Sequence, residues 1–179
     1  MQPPRPPQAA GPDLVGRIDQ LNQAAGWLGR WAILLMLALG VWNVVGRYLG
    51  LSLGMNLSSN ALIEGQWLLF SAAFLLSLGW TLQRDGHVRI DVLSSRWSER
   101  RRLGMELNGT LLLLLPFALV MLLVSLEPAW QSWRILEASP DPDGLPRYWA
   151  KSLIPLGFLL LSLQGVAAAI RCNRQLKRR

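Results

Sequence analysis

Leu107-Asn-Gly-Thr-Leu-Leu-Leu-Leu-Leu-Pro-Phe-Ala-Leu-Val-Met-Leu-Leu-Val-Ser-Leu126 is a run of 20 residues without a charge. A helix rises about 1.5 Å per residue, so about 20 apolar residues cross a hydrocarbon core about 30 Å thick. Positions 111–115 and 117–124 are apolar on every side, whereas a soluble helix keeps a polar stripe for water. The run therefore predicts a transmembrane helix and argues against a buried helix of a soluble bundle.

Three further runs have the same character. Trp31–Gly46 and Ser152–Ile170 carry no charge, and Ala61–Leu82 carries only Glu64. A cleavable signal peptide does not explain the first run, because about 26 residues precede it and no small-residue cleavage site follows. We therefore expect an all-α integral membrane protein with four transmembrane helices. The expected spans are 27–48, 61–82, 104–127 with an extension as far as 137, and 149–171.

The composition excludes several other classes of protein. The chain is 51% hydrophobic and 16% charged, whereas soluble domains are about 25% charged. The low charge argues against a disordered, highly charged protein. Cys172 is the only cysteine, so a disulfide scaffold within the chain is excluded.

The basic residues predict how the chain is oriented. Of 18 lysines and arginines, 14 lie in the N-terminal segment, the second connector and the C-terminal tail, with their borders. The positive-inside rule therefore places both termini in the cytoplasm. We expect anionic lipid headgroups to attract the two basic runs, which explains the net charge of +7 without nucleic acid. These runs are Arg100, Arg101 and Arg102, and Lys177, Arg178 and Arg179.

The segments outside the spans also give predictions. Residues 1–13 are rich in proline and are expected to be disordered, and residues 172–179 are expected to form a basic cytoplasmic tail. Between them lies the four-span domain, 14–171. A short interfacial amphipathic helix is expected before the first span, with an apolar face of Leu14, Ile18, Leu21 and Ala25. A second interfacial helix is expected in the connector between the second and third spans.

Glu64 and Arg47 are charges near the ends of spans. An ionisable group inside a span is a functional hypothesis by default, so Glu64 is a candidate proton or cation relay. The alternative, which we favour, is a structural role: an interfacial ion pair with Arg47 or a contact with another chain.

Residues 83–93 follow the second span, and here polar His87, Arg89 and Asp91 alternate with apolar side chains. An extended stretch with this alternation would lie along the interface or under a partner subunit. The competing interpretation is a basic loop that only fixes topology. His87 is the only histidine and lacks convergent ligands, so neither a metal site nor catalysis is expected.

Several of these segments together resemble the DctQ-type small membrane subunit of tripartite ATP-independent periplasmic (TRAP) transporters. The resemblance covers residues from about 18 to 170, and the stretch from His87 to Val92 is its most specific part. The matching segments are Asn43-Val-Val-Gly-Arg-Tyr48, Glu64, Phe74-Leu-Leu-Ser-Leu-Gly79, Thr81-Leu-Gln-Arg-Asp-Gly-His-Val-Arg-Ile-Asp-Val-Leu93 and Lys151-Ser-Leu-Ile-Pro155.

The resemblance implies a function in the bacterial inner membrane. In such systems a periplasmic solute-binding protein delivers an organic acid anion to a large, elevator-type membrane subunit, which holds the substrate and sodium sites. The small subunit widens the stationary scaffold. The resemblance carries over Arg47, Glu64, His87, Arg89 and Asp91 as structural or subunit-interface residues. It implies no catalytic, substrate-binding or metal residue in this chain, and no cofactor.

Two other functions remain as alternatives. The first is a self-sufficient small oligomeric transporter or channel, in which Glu64 or Gln164 lines a pathway. The second is the membrane anchor of a redox enzyme, which is disfavoured because His87 and Cys172 cannot hold a haem or metal without partners.

Small residues in the last span are expected to allow close packing against a partner subunit, namely Gly157, Gly165 and Ala167–Ala169.

Overall fold

A computed structural model of the chain describes residues 14–86 and 98–177, and over these residues it contains helices and no strands. Four continuous helical rods are long and apolar enough to cross a membrane, which confirms the predicted number of spans. The rods are α1 (Leu14–Leu53), α2 (Asn60–Gln83), α3 (Glu99–Gly109) continued through a π-helical turn (Thr110–Leu114) into α4 (Leu115–Arg134), and α5 (Arg147–Lys177).

Short polar and glycine signals mark the helix boundaries. Ser59 caps the start of α2 by accepting a hydrogen bond from the Leu62 amide, and Ser98 caps α3 in the same way. The connector after α1 turns at Gly54, whose φ of +68° suits a residue without a Cβ. These signals allow only a short connector, 54–59, between α1 and α2, so the two helices run antiparallel.

Residues 14–26 are helical, but they form the first part of α1 with no break before the span. The predicted apolar face is confirmed in part, because Ile18 and Ala25 are buried, with 6% and 7% of their surface exposed, but the other two residues are not. Leu14 and Leu21 are 64% and 49% exposed, whereas Asp19 is 8% exposed and Asn22 is fully buried. The cause is a set of polar partners on α5, which turns these two polar side chains inward. The expected disordered segment, 1–13, lies outside the described residues.

The third rod is longer than the predicted span at its N-terminal end. α3 runs directly into the π-helical turn and α4, so the described part of the second connector holds no separate interfacial helix. The π turn ends two residues before Pro116, where the ring removes one backbone donor. A local change in helical pitch is a common way to accommodate such a loss.

α5 is the central helix of the bundle. Half of its most apolar stretch is buried, against 17% or less in each of the other three rods. A Cβ at Gly157 would lie 2.9 Å from the Leu75 side chain, and one at Gly165 would lie 2.8 Å from Leu114. Ala167 packs in a small buried cluster within the chain. The expectation that Gly157, Gly165 and Ala167 face a partner subunit is therefore wrong, because other parts of the same chain already contact them.

Candidate functional site

The polar side chains of the bundle gather at its two ends. We call the end with connectors 54–59 and 135–146 the loop end, and the end with Leu14 and Lys177 the terminal end. At the loop end, Glu64 Oε1 accepts a hydrogen bond from Ser139 Oγ, and its Oε2 accepts one from the Leu145 amide at 2.5 Å. Both donors lie in the connector between α4 and α5. Glu64 therefore fastens this connector to α2.

The ion pair suggested for Arg47 and Glu64 is not present. Arg47 is exposed, and no ion pair joins these two residues, both of which lie in the described part of the chain. A second contact from α2 strengthens the arrangement found instead, because Asn60 Nδ2 donates to the Pro142 carbonyl at 3.1 Å. The sequence indicates that the Glu64 carboxylate needs partners. Its donors, Ser139 and the Leu145 amide, lie in a connector more than 70 residues later.

A second contact set braces α4 against α5 at the loop end. Lys151 Nζ donates to the Glu137 carboxylate in an ion pair, and the Arg147 amide donates to the Glu137 carbonyl at 2.9 Å. The hydrogen bond from Lys151 lowers the pKa of Glu137 below its usual value of 4.5. Trp133 Nε1 donates to Ser152 Oγ at 2.7 Å. The Lys151-Ser152 segment was visible in the sequence, but its role in this brace was not.

At the terminal end, a buried polar network joins α1 to α5. Arg171 Nη1 pairs with both carboxylate oxygens of Asp19, at 2.7 and 2.9 Å. Gln164 Nε2 donates to Asp19 Oδ1 at 2.9 Å, and Asn22 Nδ2 donates to Gln164 Oε1 at 2.9 Å. We call Asp19, Asn22, Gln164 and Arg171 the polar clamp. Gln164 and Asn22 are fully buried, so Gln164 does not line an open pathway.

The polar clamp fits closely around one glycine of α2. A Cβ on Gly79 would lie 1.9 Å from Asn22 Oδ1 and 3.0 Å from the Leu160 carbonyl. Asn22 Oδ1 has no hydrogen-bond partner among the described residues, and the backbone of Gly79 lies directly against it. Three helices therefore meet at this point with little spare space. The clue in the sequence was a pair of polar residues, Asp19 and Asn22, three positions apart.

The structure places the remaining predicted residues as follows. Arg100, Arg101 and Lys177 are exposed at the terminal end, and Arg102 is partly exposed. Cys172 is buried. In the described ranges, no group of three or more His, Cys, Asp or Glu side chains is placed to hold a metal ion. The other predicted residues lie outside the described part of the chain: His87, Arg89, Asp91, Arg178 and Arg179.

The outer surface of the bundle is apolar over much of its length. A groove of about 770 Å³ lies between α1 and α2, lined mainly by apolar side chains such as Met36, Val41 and Phe70. Trp67 and Phe74, on α2, are largely exposed. Because its polar groups are bonded internally, such a bundle has an apolar outer surface that can contact lipid or another membrane protein.

Of three comparisons with known proteins, one found a match. A search of curated proteins and a search of solved structures each found no match. A scan of protein families matches residues 31–175 to the family described as "Tripartite ATP-independent periplasmic transporters, DctQ component". The match covers most of the 179 residues: α1 from residue 31 onward, all of α2 and of the α3–α4 rod, and α5 as far as residue 175. The chain therefore belongs to the DctQ component family of tripartite ATP-independent periplasmic transporters.

Proposed function

We propose that this chain is the scaffold subunit of a sodium-coupled TRAP transporter that imports an organic acid anion across the bacterial inner membrane. It holds the large membrane subunit in place, and both of its termini lie in the cytoplasm. A periplasmic solute-binding protein delivers the substrate to the assembled pair. The observation that supports this proposal is the arrangement of polar and apolar side chains. The polar side chains of the spans bond to one another inside the bundle, and the outer faces of the helices are apolar.

In residues 14–86 and 98–177, the polar groups form no route for an ion or an anion. Asn22 and Gln164 bond to each other in a closed site, and Glu64 is held by the connector between α4 and α5. Midplane substrate sites in transporters are typically built from broken helices and unwound backbone. α2 and α5 are continuous over their full lengths. Substrate and sodium therefore belong with the large subunit.

The outer surface of the bundle is suited to contact with the large subunit. Only 11–17% of the most apolar stretches of α1, α2 and the α3–α4 rod is buried within the chain. These faces are available for the large subunit and for lipid. Exposed Arg47, at the loop end, is a candidate subunit contact, as are His87, Arg89 and Asp91. The ATP-independence in the family description supports coupling to an ion gradient.

Co-purification and reconstitution test the proposal. This chain and the large subunit encoded beside it are co-expressed with a tag on one of them, and the complex is isolated and placed in proteoliposomes. We expect a stoichiometric complex, and sodium-dependent uptake only when both subunits and the solute-binding protein are present. Uptake by this chain alone would show that it is a transporter in its own right.

Glu64→Gln separates the structural role of this residue from an ion relay. The variant keeps the size of the side chain and removes its negative charge. We expect the complex to form and uptake to stay within about threefold of wild type, because the charge lies outside the transport path. An intact complex that has lost coupled uptake would instead identify Glu64 as a relay.

A further inference from the structure

Two arginines converge on one tryptophan at the terminal end. The Cζ atoms of Arg30, on α1, and Arg84, at the end of α2, each lie 5.6 Å from the centre of the Trp80 ring. Both distances are within cation–π range. The two guanidinium groups therefore lie within about 11 Å of each other, and both approach the same indole ring.

The position of Trp80 is fixed by the backbone of α1. A Cβ added to Gly26 would lie 2.5 Å from Trp80 Cγ, so the indole rests directly on this glycine. Two further tryptophans, Trp27 and Trp31, follow on α1, with ring centres 5.9 Å apart, and each is about half exposed. Trp80 is one turn from the C-terminal end of α2, and tryptophans near the ends of spans commonly lie among lipid headgroups.

Among the residues that the structure describes, the two arginines have no acidic partner. In residues 14–86 and 98–177 no carboxylate forms an ion pair with Arg30 or Arg84, although Asp85 is the next residue in the chain. Asp19 is on the same helix as Arg30, but its carboxylate is bonded to Arg171 and Gln164. Two positive charges near each other at the edge of a membrane favour binding of an anion.

We propose that Arg30, Trp80 and Arg84 form a binding site for the phosphate group of an anionic phospholipid. Guanidinium groups bind phosphate oxygens in pairs with planar geometry, which suits a phosphate placed between Arg30 and Arg84. The acyl chains of the lipid lie along the apolar surface beside Trp27 and Trp31. A membrane lipid is the favoured source of the phosphate, because the site borders a span and is flanked by exposed aromatic rings.

Lipid binding by the purified full-length chain in a non-ionic detergent tests the site. Native mass spectrometry during titration with phosphatidylglycerol gives an apparent dissociation constant for the first bound lipid. We expect Arg30→Gln/Arg84→Gln to weaken this binding about tenfold, because both phosphate contacts are lost. Arg47→Gln/Arg134→Gln is the matched control: it removes the same charge from exposed arginines and should change the affinity less than twofold.

A second variant removes the effect of net charge altogether. Arg30→Lys/Arg84→Lys keeps both charges but loses the planar, paired donors, so we expect binding about threefold weaker than wild type. This variant also tests the site if the glutamine variant does not fold. Unchanged affinity in the lysine variant, or equal losses in the glutamine variant and its control, would overturn the proposal.

The source of the phosphate is tested in the same titration. Phosphatidylcholine, whose headgroup has no net charge, should bind more weakly than phosphatidylglycerol, and millimolar inorganic phosphate should not displace the bound lipid. Equal binding of the two lipids, or displacement by inorganic phosphate, would overturn the assignment to an anionic lipid.

Discussion

At the scale of single residues, Gly79 is a position where a side chain of α1 and the backbone of α5 lie directly against α2. We expect Gly79→Ala to destabilise the protein by about 1–3 kcal/mol, a typical effect of overpacking a tight interior. The new methyl group would lie 1.9 Å from Asn22 Oδ1 and 3.0 Å from the Leu160 carbonyl, so a helix or the polar clamp must move. Thermal unfolding in detergent, followed by circular dichroism, measures the change.

Gly104→Ala is the matched control for this substitution. Gly104 lies inside α3, and nothing is within 4 Å of the position where a Cβ would be added. Alanine is favoured over glycine within helices by about 0.5–1 kcal/mol, so we expect this variant to be slightly more stable than wild type. Equal effects of the two substitutions would mean that the contact at Gly79 is not tight.

Glu137 gives a prediction about pH. Its pKa is lowered by the hydrogen bond from Lys151, so the folded protein binds the proton more weakly than the unfolded chain does. The brace between α4 and α5 therefore contributes its full stability above about pH 4.5, and this contribution is lost as the pH falls through the lower, folded-state pKa. Thermal unfolding between pH 3 and 7, about the range in which carboxylates titrate, measures the loss.

Glu137→Gln is the control for the pH dependence. It has no titratable carboxylate, so we expect it to be less stable than wild type at pH 7, with the difference narrowing below pH 4.5. A difference that stays constant through this range would show that the ionised carboxylate of Glu137 does not stabilise the fold.

The partners of single residues were the least predictable part of the chain. The sequence marked Glu64 as a charge that needs compensation but pointed to Arg47. Its donors are the Ser139 hydroxyl and the Leu145 amide, which are 75 and 81 residues away. A backbone amide is present at almost every position, so no residue type in the sequence identifies this donor. The contact depends on how α2 meets a connector that follows two further helical segments.

At the scale of helices, composition predicted the spans because length and lack of charge are local properties. All four rods were expected, whereas the face that residues 14–26 turn inward was predicted only in part: Ile18 and Ala25 are buried as expected. Amphipathic patterns assume that apolar residues are buried, but here Asp19 and Asn22 are buried and Leu14 is exposed. Residues 14–26 precede the expected span, and partners on α5 decide which of their polar side chains are buried: Asp19 bonds to Gln164 and Arg171, and Asn22 bonds to Gln164.

The contact between α1 and α5 can be tested with a double-mutant cycle on two members of the polar clamp. We expect Gln164→Met to cost about 1–2 kcal/mol, because it removes the bonds to Asn22 and Asp19. We expect Asn22→Leu to cost about 1 kcal/mol. The double variant should be more stable than the sum of the two losses predicts, by at least about 0.5 kcal/mol.

Denaturation in mixed micelles gives the free energies of unfolding for the four proteins of the cycle. Ser162→Ala serves as a reference on the same helix, since the Ser162 hydroxyl donates to the Phe158 carbonyl within α5 and to no other described residue. Its combination with Asn22→Leu should be additive. An additive result for Gln164→Met with Asn22→Leu as well would mean that the bond between the two side chains contributes nothing.

At the scale of the whole molecule, α5 is the packed centre and the other rods expose most of their surface. The two ends of the bundle also differ in kind. The loop end is fastened by Glu64, Glu137 and the connector between α4 and α5. The terminal end carries the polar clamp and most of the basic residues that the structure describes. A bundle fastened at both ends is suited to remain stationary beside a moving subunit, as the proposed function requires.

The orientation of the bundle is the last prediction, and it follows from the basic residues. The rule that places the terminal end in the cytoplasm rests on 14 of 18 lysines and arginines. Single cysteines are introduced in a Cys172→Ser background at four exposed positions: Gln20 and Asn173 at the terminal end, and Asn56 and Ala138 at the loop end. A membrane-impermeant maleimide is then applied to spheroplasts and to inverted membrane vesicles.

We expect the cysteines at positions 56 and 138 to react in spheroplasts, and those at 20 and 173 to react only in inverted vesicles. The unsubstituted Cys172→Ser protein controls for background labelling, and solubilised samples show that all four cysteines can react. The opposite pattern would place the terminal end outside the cytoplasm. Labelling of positions 20 and 173 from opposite sides would contradict an even number of crossings, because the two termini of a four-span bundle share one side of the membrane.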